Sequence, residues 1–434
     1  MKDTRPEKTK NQSKIHLNAW LLPILIGIFA VLYGLTAYRG WLIFLSGTSG
    51  AWLLALLWVH ILERNLRIER KLHLAWATVG DSVPEQLKVS NHSWLPAIWV
   101  EIVDTSATLE SPVRFVSDIP AHASRTRNPA HLFKRRGVYT LGPTRLRSGD
   151  PFGIYTLTIH DQHASTILIT PPLLPLKQLK IAQGGQAGDE RLRAGVIERD
   201  ISDVGLRNYV PGDSLRRIHW RASAHAGTLV VRRLETMTSQ DWWIYVDLDH
   251  AAQYGAGQDS TLELAIVLAA SLAERGLKEH RRVGLALAGP KLIWLEPLAD
   301  PAHHWRVIQA LSMAEPGNVP LKDLLAMGHS TKMATMVLIT PSTNPAWVAA
   351  AEKCHRGGSV MALLVNPADF GSPIDQSKIM AGLARSRIPF TNMRRSLLEE
   401  AYLSIGRQGR RQPAGAKKGR RYIQQERAAW QNMD

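Results

Sequence analysis

The chain has 434 residues, 45% of them hydrophobic and 21% charged, which is enough for two or three domains with proper cores and excludes a chain disordered throughout. Its 53 lysines and arginines stand against 37 acidic residues, a net charge of +16, and an excess of that size suggests an anionic surface as partner, either lipid headgroups or nucleic acid. Cys354 is the single cysteine, so an intrachain disulfide is excluded, which fits a reducing compartment.

Residues 1–18 form a polar, basic tail carrying Lys2, Arg5, Lys8, Lys10 and Lys14. Residues 19–62 follow as a transmembrane helical hairpin: Ala19–Tyr38 is uncharged and about long enough to cross the ~30 Å hydrocarbon layer, Arg39-Gly40 interrupts, and Trp41–Leu62 is uncharged again. Trp41 and Trp58 fall near the expected interfaces. Basic residues lie in the tail and at Arg64, Arg67, Arg70 and Lys71, against Arg39 alone in the turn. The positive-inside rule therefore places both termini in the cytoplasm at the cell membrane. Glu63–Lys71 reads as an amphipathic continuation of the second helix.

Over 63–180 the period changes to two. VPEQLKVSNHSWLPAIWVEIVDT alternates around Asn91-His92-Ser93, and GVYTLGPTRLRSGDPFGIYTLTI alternates between Gly-Pro and Gly-Asp-Pro-Phe-Gly breaks. Short strands with frequent turns predict a small β-sandwich domain. A Pro/Gly-rich bridge, 171–188, offers no phosphate cradle, because no Gly-Lys-Ser/Thr completes its glycines.

Segment 181–235 contains the densest local chemistry, GLRNYVPGDSLRRIHWRASAHAGTLVVRR from Gly205 to Arg233. Pro211-Gly212 signals a turn, and Asp213 can cap a short helix running from Ser214 to about Trp220, with Arg207, Arg216, Arg217 and Arg221 as guanidinium partners. Ile218 and Trp220 supply the apolar face that pins this helix to its neighbour. The set Gly205, Arg207, Tyr209, Pro211, Gly212, Asp213, Arg216, Ile218, Trp220, Ser223 and Ala224 at this spacing resembles the signature of the DUF58 family, a group of prokaryotic proteins of poorly defined function. The run RGVYTLGPTRLRSGDPFGIY resembles the region upstream of that signature. His225 stands where the family usually has arginine. The segment reads as a structural joint between two domains.

Residues 236–405 turn to α/β. Strands at Trp242–Leu248, Val283–Ala288, Met336–Thr340 and Val360–Val365 alternate with helices capped at Asp259 or Ser260 and at His303–Ala314, Ala346–His355 and Ser377–Arg387. That alternation predicts a parallel sheet covered on both faces. In family terms it resembles a von Willebrand factor A-like domain. Such a domain, where it binds Mg2+, uses an Asp-x-Ser-x-Ser loop at the end of its first strand. Here the loop is Asp247-Leu248-Asp249-His250-Ala251 and Pro341-Ser342 replaces the expected acidic turn, so the ligand set is degenerate. Asp247 and Asp249 could hold a cation in another arrangement or form a carboxylate pair facing water. No other cofactor is implied.

Two further clusters invite chemistry. Asp213, His219, Ser223 and His225 could form a hydrolase or nuclease set, though a capped helix explains Asp213 without catalysis. Cys354-His355 could make a reactive thiol or a small packed residue. The tail 406–434, with GRQGRRQPAGAKKGRR, is basic and nearly free of apolar residues, so disorder is expected there. Membrane lipids are its nearest anionic partner. The resemblance implies a membrane-anchored, protein-binding adaptor working with a MoxR-type AAA+ ATPase on a protein client.

Overall fold

The two uncharged runs become two helices because nothing in them can satisfy a backbone except its own i→i−4 bonds. The structure, a computed structural model, describes residues 12–104, 114–176, 179, 203–210, 218–234, 241–328, 334–355 and 358–408. It divides into two units between Thr170 and Pro171, the second running to Arg407.

In the first unit the basic tail is a strand where it is described. β1 (Gln12–Leu17) leads into α1 (Leu21–Thr36) and α2 (Arg39–Asn65). Ala37 ends α1 in the left-handed region at φ 51°, its N–H donating to Tyr33 O. The ring of Phe29 then stacks on Trp41 and Phe44 of α2, with centroids 5.9 and 5.5 Å apart. No described side chain of α1 is buried, whereas α2 buries Ala55, Val59 and Leu62. That i, i+4, i+7 spacing is one helical stripe. Among the described residues α2 alone is long and apolar enough to cross a membrane; α1 is apolar but has only 16 residues.

The expected helical extension through Lys71 does not form. The helix ends at Asn65 and β2 (Leu66–Leu72) begins at once, because Leu66 and Ile68 are buried in alternation with exposed Arg67 and Glu69. Period two wins there. Beyond it come β3 (Trp76–Thr78), β4 (Ser82–Asn91), β5 (Ala97–Asp104), β6 (Arg114–Ile119), β7 (Ser124–Arg127), β8 (Ala130–Leu132), β9 (Gly137–Leu141), β10 (Thr144–Gly149), β11 (Tyr155–Asp161) and β12 (Ser165–Thr170). A five-stranded sheet, β1-β11-β10-β5-β6, shares one apolar core with β2 and β4 and with the buried stripe of α2.

One buried ion network ties these sheets. Arg70, whose side chain is 2% exposed, lies 2.9 Å from Glu85 and 2.9 Å from Asp104, both fully buried. Arg70 also donates to Thr144 Oγ1 at 2.8 Å, and His131 Nε2 lies 2.8 Å from the second Glu85 oxygen. One guanidinium thus holds two carboxylates from β4 and β5. Arg70 is therefore not available to lipid headgroups.

The second unit starts with the bridge, whose described part is docked: Leu174 N donates to Ser271 Oγ, and Arg275 donates to the carbonyls of Leu176 and Leu179. Next come β13 (Asp203–Asn208), α3 (Trp220–Ala226), β14 (Val230–Leu234), β15 (Asp241–Val246), the small pair β16 (Gly255–Ala256) and β17 (Asp259–Ser260), and α4 (Thr261–Lys278). Then follow β18 (Arg282–Ala288), β19 (Leu292–Leu298), α5 (Pro301–Ser312), α6 (Leu321–Met327), β20 (Thr335–Thr340), α7 (Ala346–His355), β21 (Ser359–Val365), α8 (Ser377–Arg385), β22 (Phe390–Met393) and α9 (Ser396–Gln408).

The main sheet has the order β19-β18-β15-β20-β21-β22, parallel except for the antiparallel edge strand β19. Side chains of β15 alternate between its two faces. Ile244 and Val246 pack with α4 and α5, while Trp243 and Tyr245 pack with α6, α7 and α8. Ser260 caps α4 by accepting from Glu263 N.

Replacing Arg70 by methionine leaves Glu85 and Asp104 buried without their cation. The expected cost is about 3–5 kcal/mol, read from urea unfolding of the full chain in detergent. Breaking the exposed Arg282–Asp241 pair by Arg282→Met should cost less than ~1 kcal/mol.

Candidate functional site

Sheet order decides where a ligand can enter. The chain turns one way from β15 to β18 and the other way to β20, so the connections leaving the C-terminal ends of β15 and β20 diverge and open a crevice. A cleft of about 240 Å3 lies there, lined by Asp247, Asp249, Lys322, Ser342, Thr343, Asn344 and Trp347 among others.

Asp247 forms the floor. It is 1% exposed, so it is not the water-facing carboxylate that its position after a strand suggests. Thr340 Oγ1 donates to one of its oxygens at 2.6 Å and the Asp249 N–H donates to the other at 3.1 Å. Thr340 Oγ1 in turn accepts from Ser342 N, Ser342 Oγ from Asn344 N, and Asn344 Oδ1 from Ala346 N, which starts α7. Gln253 donates to the Asp247 carbonyl while its Oε1 accepts from Thr261 Oγ1. The bonds that Asp247, Thr340, Ser342 and Asn344 accept from N–H groups are each made by a short side chain to the backbone two residues on, a geometry that favours Asp, Asn, Ser and Thr.

Burial is the first cause that pushes the Asp247 carboxyl up to about 6, with the nearby Asp249 charge adding to it and the bonds from Thr340 and Asp249 N–H opposing it. Gly317 pairs with the backbone of Leu248 and His250, and a Cβ there would collide with the Ala288 carbonyl oxygen. Only glycine fits that approach.

The loop supplies few of the oxygens that a hard cation takes: Asp249 Oδ1 accepts from Ala251 N, and Ala251 brings no side-chain oxygen. Among the described residues no group of three His, Cys, Asp or Glu could hold a metal.

The signature segment lies within the second unit. β13 and β14 form an antiparallel hairpin pairing Gly205 with Arg233 and Arg207 with Val231. Tyr209 N donates to Leu229 O. Pro211, Gly212, Asp213 and Arg216 lie outside the described residues, as does the tail from 409. A short helix lies at Trp220–Ala226, where His219 Nδ1 accepts from Ala222 N as its cap, and Ile218 just before it is held in a bridge to Val231; most of the helix expected from Ser214 lies outside the described residues.

Ile218 is buried as expected, but Trp220 is 67% exposed. Helical phase separates them: Ile218 precedes the helix and Trp220 opens its solvent face. Ser223 Oγ accepts from Val230 N at 2.9 Å, which seats the helix on the hairpin. His219 and Ser223 thus have backbone partners and His225 is exposed, while Asp213 of the same candidate set lies outside the described residues. Cys354 is half-buried and burial pushes its thiol up, away from a reactive thiolate.

Thr340, Gln253, Thr261, Asn344, Lys322 and Trp347 were not singled out from the sequence. A serine or threonine ending a buried strand beside the strand that carries Asp247 was the available signal. Residues 205–374 match the family model described as "Protein of unknown function DUF58". No curated protein matches the chain. Among solved structures, beta-glucosidases from Listeria innocua in complex with glucose and with isofagomine are similar over 24% of this chain and 16% of theirs, at 11% and 12% identity and TM-score 0.16. A likeness that short and loose carries no argument about fold or activity.

Because burial raises the folded pKa of Asp247 above its unfolded value, the stability this group contributes is complete below about pH 4 and is lost as pH rises through about 6. Asp247→Asn removes that loss. Relative to the parent, the variant should gain about 2 kcal/mol between pH 4 and pH 8, measured by denaturant unfolding at both pH values, and millimolar Mg2+ should shift neither melt.

Proposed function

We propose, from the premise that this chain belongs to the DUF58 family over residues 205–374, that it is a membrane-anchored protein-interaction adaptor whose second unit is von Willebrand factor A-like and takes a protein partner at the crevice between β15 and β20. The observation that carries this reading is the cleft itself. It sits where α/β sheets receive ligands, and its polar groups are bonded to one another in fixed positions. A preset rim of Lys322, Thr343 and Asn344 around a closed floor suits recognition better than turnover. The strand order with a single antiparallel edge supports the von Willebrand A-like reading.

Exposed apolar surface supports the anchor. Trp20, Leu21, Ile24, Val31, Leu35, Ile43 and Phe44 are each half exposed or more, and a continuous patch of that kind has lipid as its natural solvent. We read both helices as spans, with both termini cytoplasmic on the distribution of Arg64, Arg67 and Lys71 against Arg39. The family resemblance supports a MoxR-type AAA+ ATPase as the partner, acting on a protein client at the membrane.

The test is affinity capture from detergent-solubilised membranes under nucleotide-trapping conditions. The intact chain should retain an AAA+ ATPase, and Lys322→Glu with Thr343→Ala should lose it while the melt stays unchanged; equal capture by the variant overturns the cleft as the docking site. A reporter fused after Asp434 should be active only in its cytoplasmic form. Activity outside the cytoplasm would end the topology and the ATPase partnership together.

A further inference from the structure

The first unit presents an aromatic ring that its own core does not use. Phe152, 64% exposed, tips the loop Asp150-Pro151-Phe152-Gly153 between β10 and β11. The loop is rigid. Asp150 is 1% exposed, and its carboxylate accepts from the N–H groups of Phe152, Ile154 and Tyr155 at 3.0, 3.0 and 2.7 Å. Gly153 closes the turn at φ +70°.

The same loop is bonded to the foot of α1. Asn18 N donates to Ile154 O at 2.8 Å, and the Asn18 side-chain amide donates to Gly153 O at 3.4 Å and to Thr156 Oγ1 at 2.6 Å. Three residues later α1 begins at Leu21. Phe152 is therefore held at the level at which the apolar helix leaves the β unit.

Helix length says what lies at that level. Sixteen residues rise about 24 Å, against ~30 Å of hydrocarbon, so several ångströms must be matched by apolar surface beyond the helix ends. Such surface is present at the foot: Trp20 is 64% exposed, and on α2 Leu53, Leu54 and Leu57 are 58, 60 and 55% exposed. Counting from the turn, Leu54 stands opposite Leu21, and Leu57 lies a turn below. Cations follow outside this belt. Lys14 on β1 and Arg145 on β10 both act on His160 of β11, the residue between Gln12 and Arg145 in the sheet register. Lys14 is three residues, about 10 Å of strand, from Leu17.

We propose that the Asp150–Gly153 loop is a second membrane contact: Phe152 seats among the shallow acyl chains of the bilayer that α1 and α2 enter, and Lys14 and Arg145 lie over its anionic headgroups. The inference rests on the membrane reading above and adds that the β unit lies against the bilayer.

Cys354 is the one cysteine, so a Cys354→Ala background accepts single labels. The full chain is reconstituted in vesicles of mixed zwitterionic and anionic phospholipid, with bimane at Ile24→Cys, Phe152→Cys or Trp94→Cys, and quenched by lipids brominated along the acyl chain. Trp94 is 66% exposed beside His92, whose N–H donates to Asn65 O at the far end of α2, about 16 Å beyond Leu54. Labels at 24 and 152 should be quenched several-fold more than at 94, the label at 152 most by shallow bromines. Quenching at 24 without quenching at 152 overturns this inference alone; absence of quenching at 24 overturns the anchor. Quenching at 152 should fall when anionic lipid is omitted or in Lys14→Glu with Arg145→Glu, and indifference to both removes the headgroup contact.

Discussion

The hydrogen bond from Thr340 to Asp247 joins the two central strands of the main sheet at the point where their connections part. A carboxylate that is 1% exposed cannot rely on water, so each oxygen must find a donor in the protein. Thr340 and the Asp249 N–H are those donors, and satisfying them bends the chain immediately after each strand. The Asp249 turn carries the backbone towards Gly317, and the Ser342 and Asn344 turns deliver it to the first residue of α7. The cleft's shape is thus a consequence of one buried acid. Its polarity is already committed to the scaffold, which leaves recognition to the rim.

The first unit handles buried charge differently. Arg70, Glu85, Asp104 and His131 face one another with little water, and the attraction between opposite charges offsets desolvation only while all members are present. Such a network fixes register among β2, β4 and β5 more than it adds stability. Asp247, by contrast, has neutral donors, and its cost appears as a raised pKa. Neutral donors can hold a carboxylate in place without neutralising it. The two units therefore hold buried charge by different routes.

Much of the second unit is legible from sequence because buried parallel strands read as apolar runs. Strand alternation from Trp242 onward, the Ser260 cap and the helices near His303, Ala346 and Ser377 all form close to where pattern places them. β19 escapes because Glu296 and Pro297 break its pattern and an edge strand has one face in solvent. α6 and β22 escape because seven and four residues are too few for a period to register. Helix propensity misleads at Arg64–Lys71, where a row of good helix formers becomes a strand as Leu66 and Ile68 enter the sandwiched core. The floor of the cleft was half visible. Asp247 stands out by its place after a strand, but its burial and its bond to Thr340, 93 residues away, are facts of topology that no local window contains.

The signature segment gains a narrower meaning from the same reasoning. Its described polar groups act within the hairpin and the helix on it: His219 caps α3, and Ser223 receives the Val230 N–H. A hydroxyl or imidazole committed to backbone in this way fixes geometry and is a poor nucleophile or base, since proton transfer would break the bond that positions it. What the segment leaves unspent is Trp220, a large aromatic 67% exposed at the first turn of a helix whose seat is rigid. On its described atoms the segment is a strand pair with a short helix seated on it.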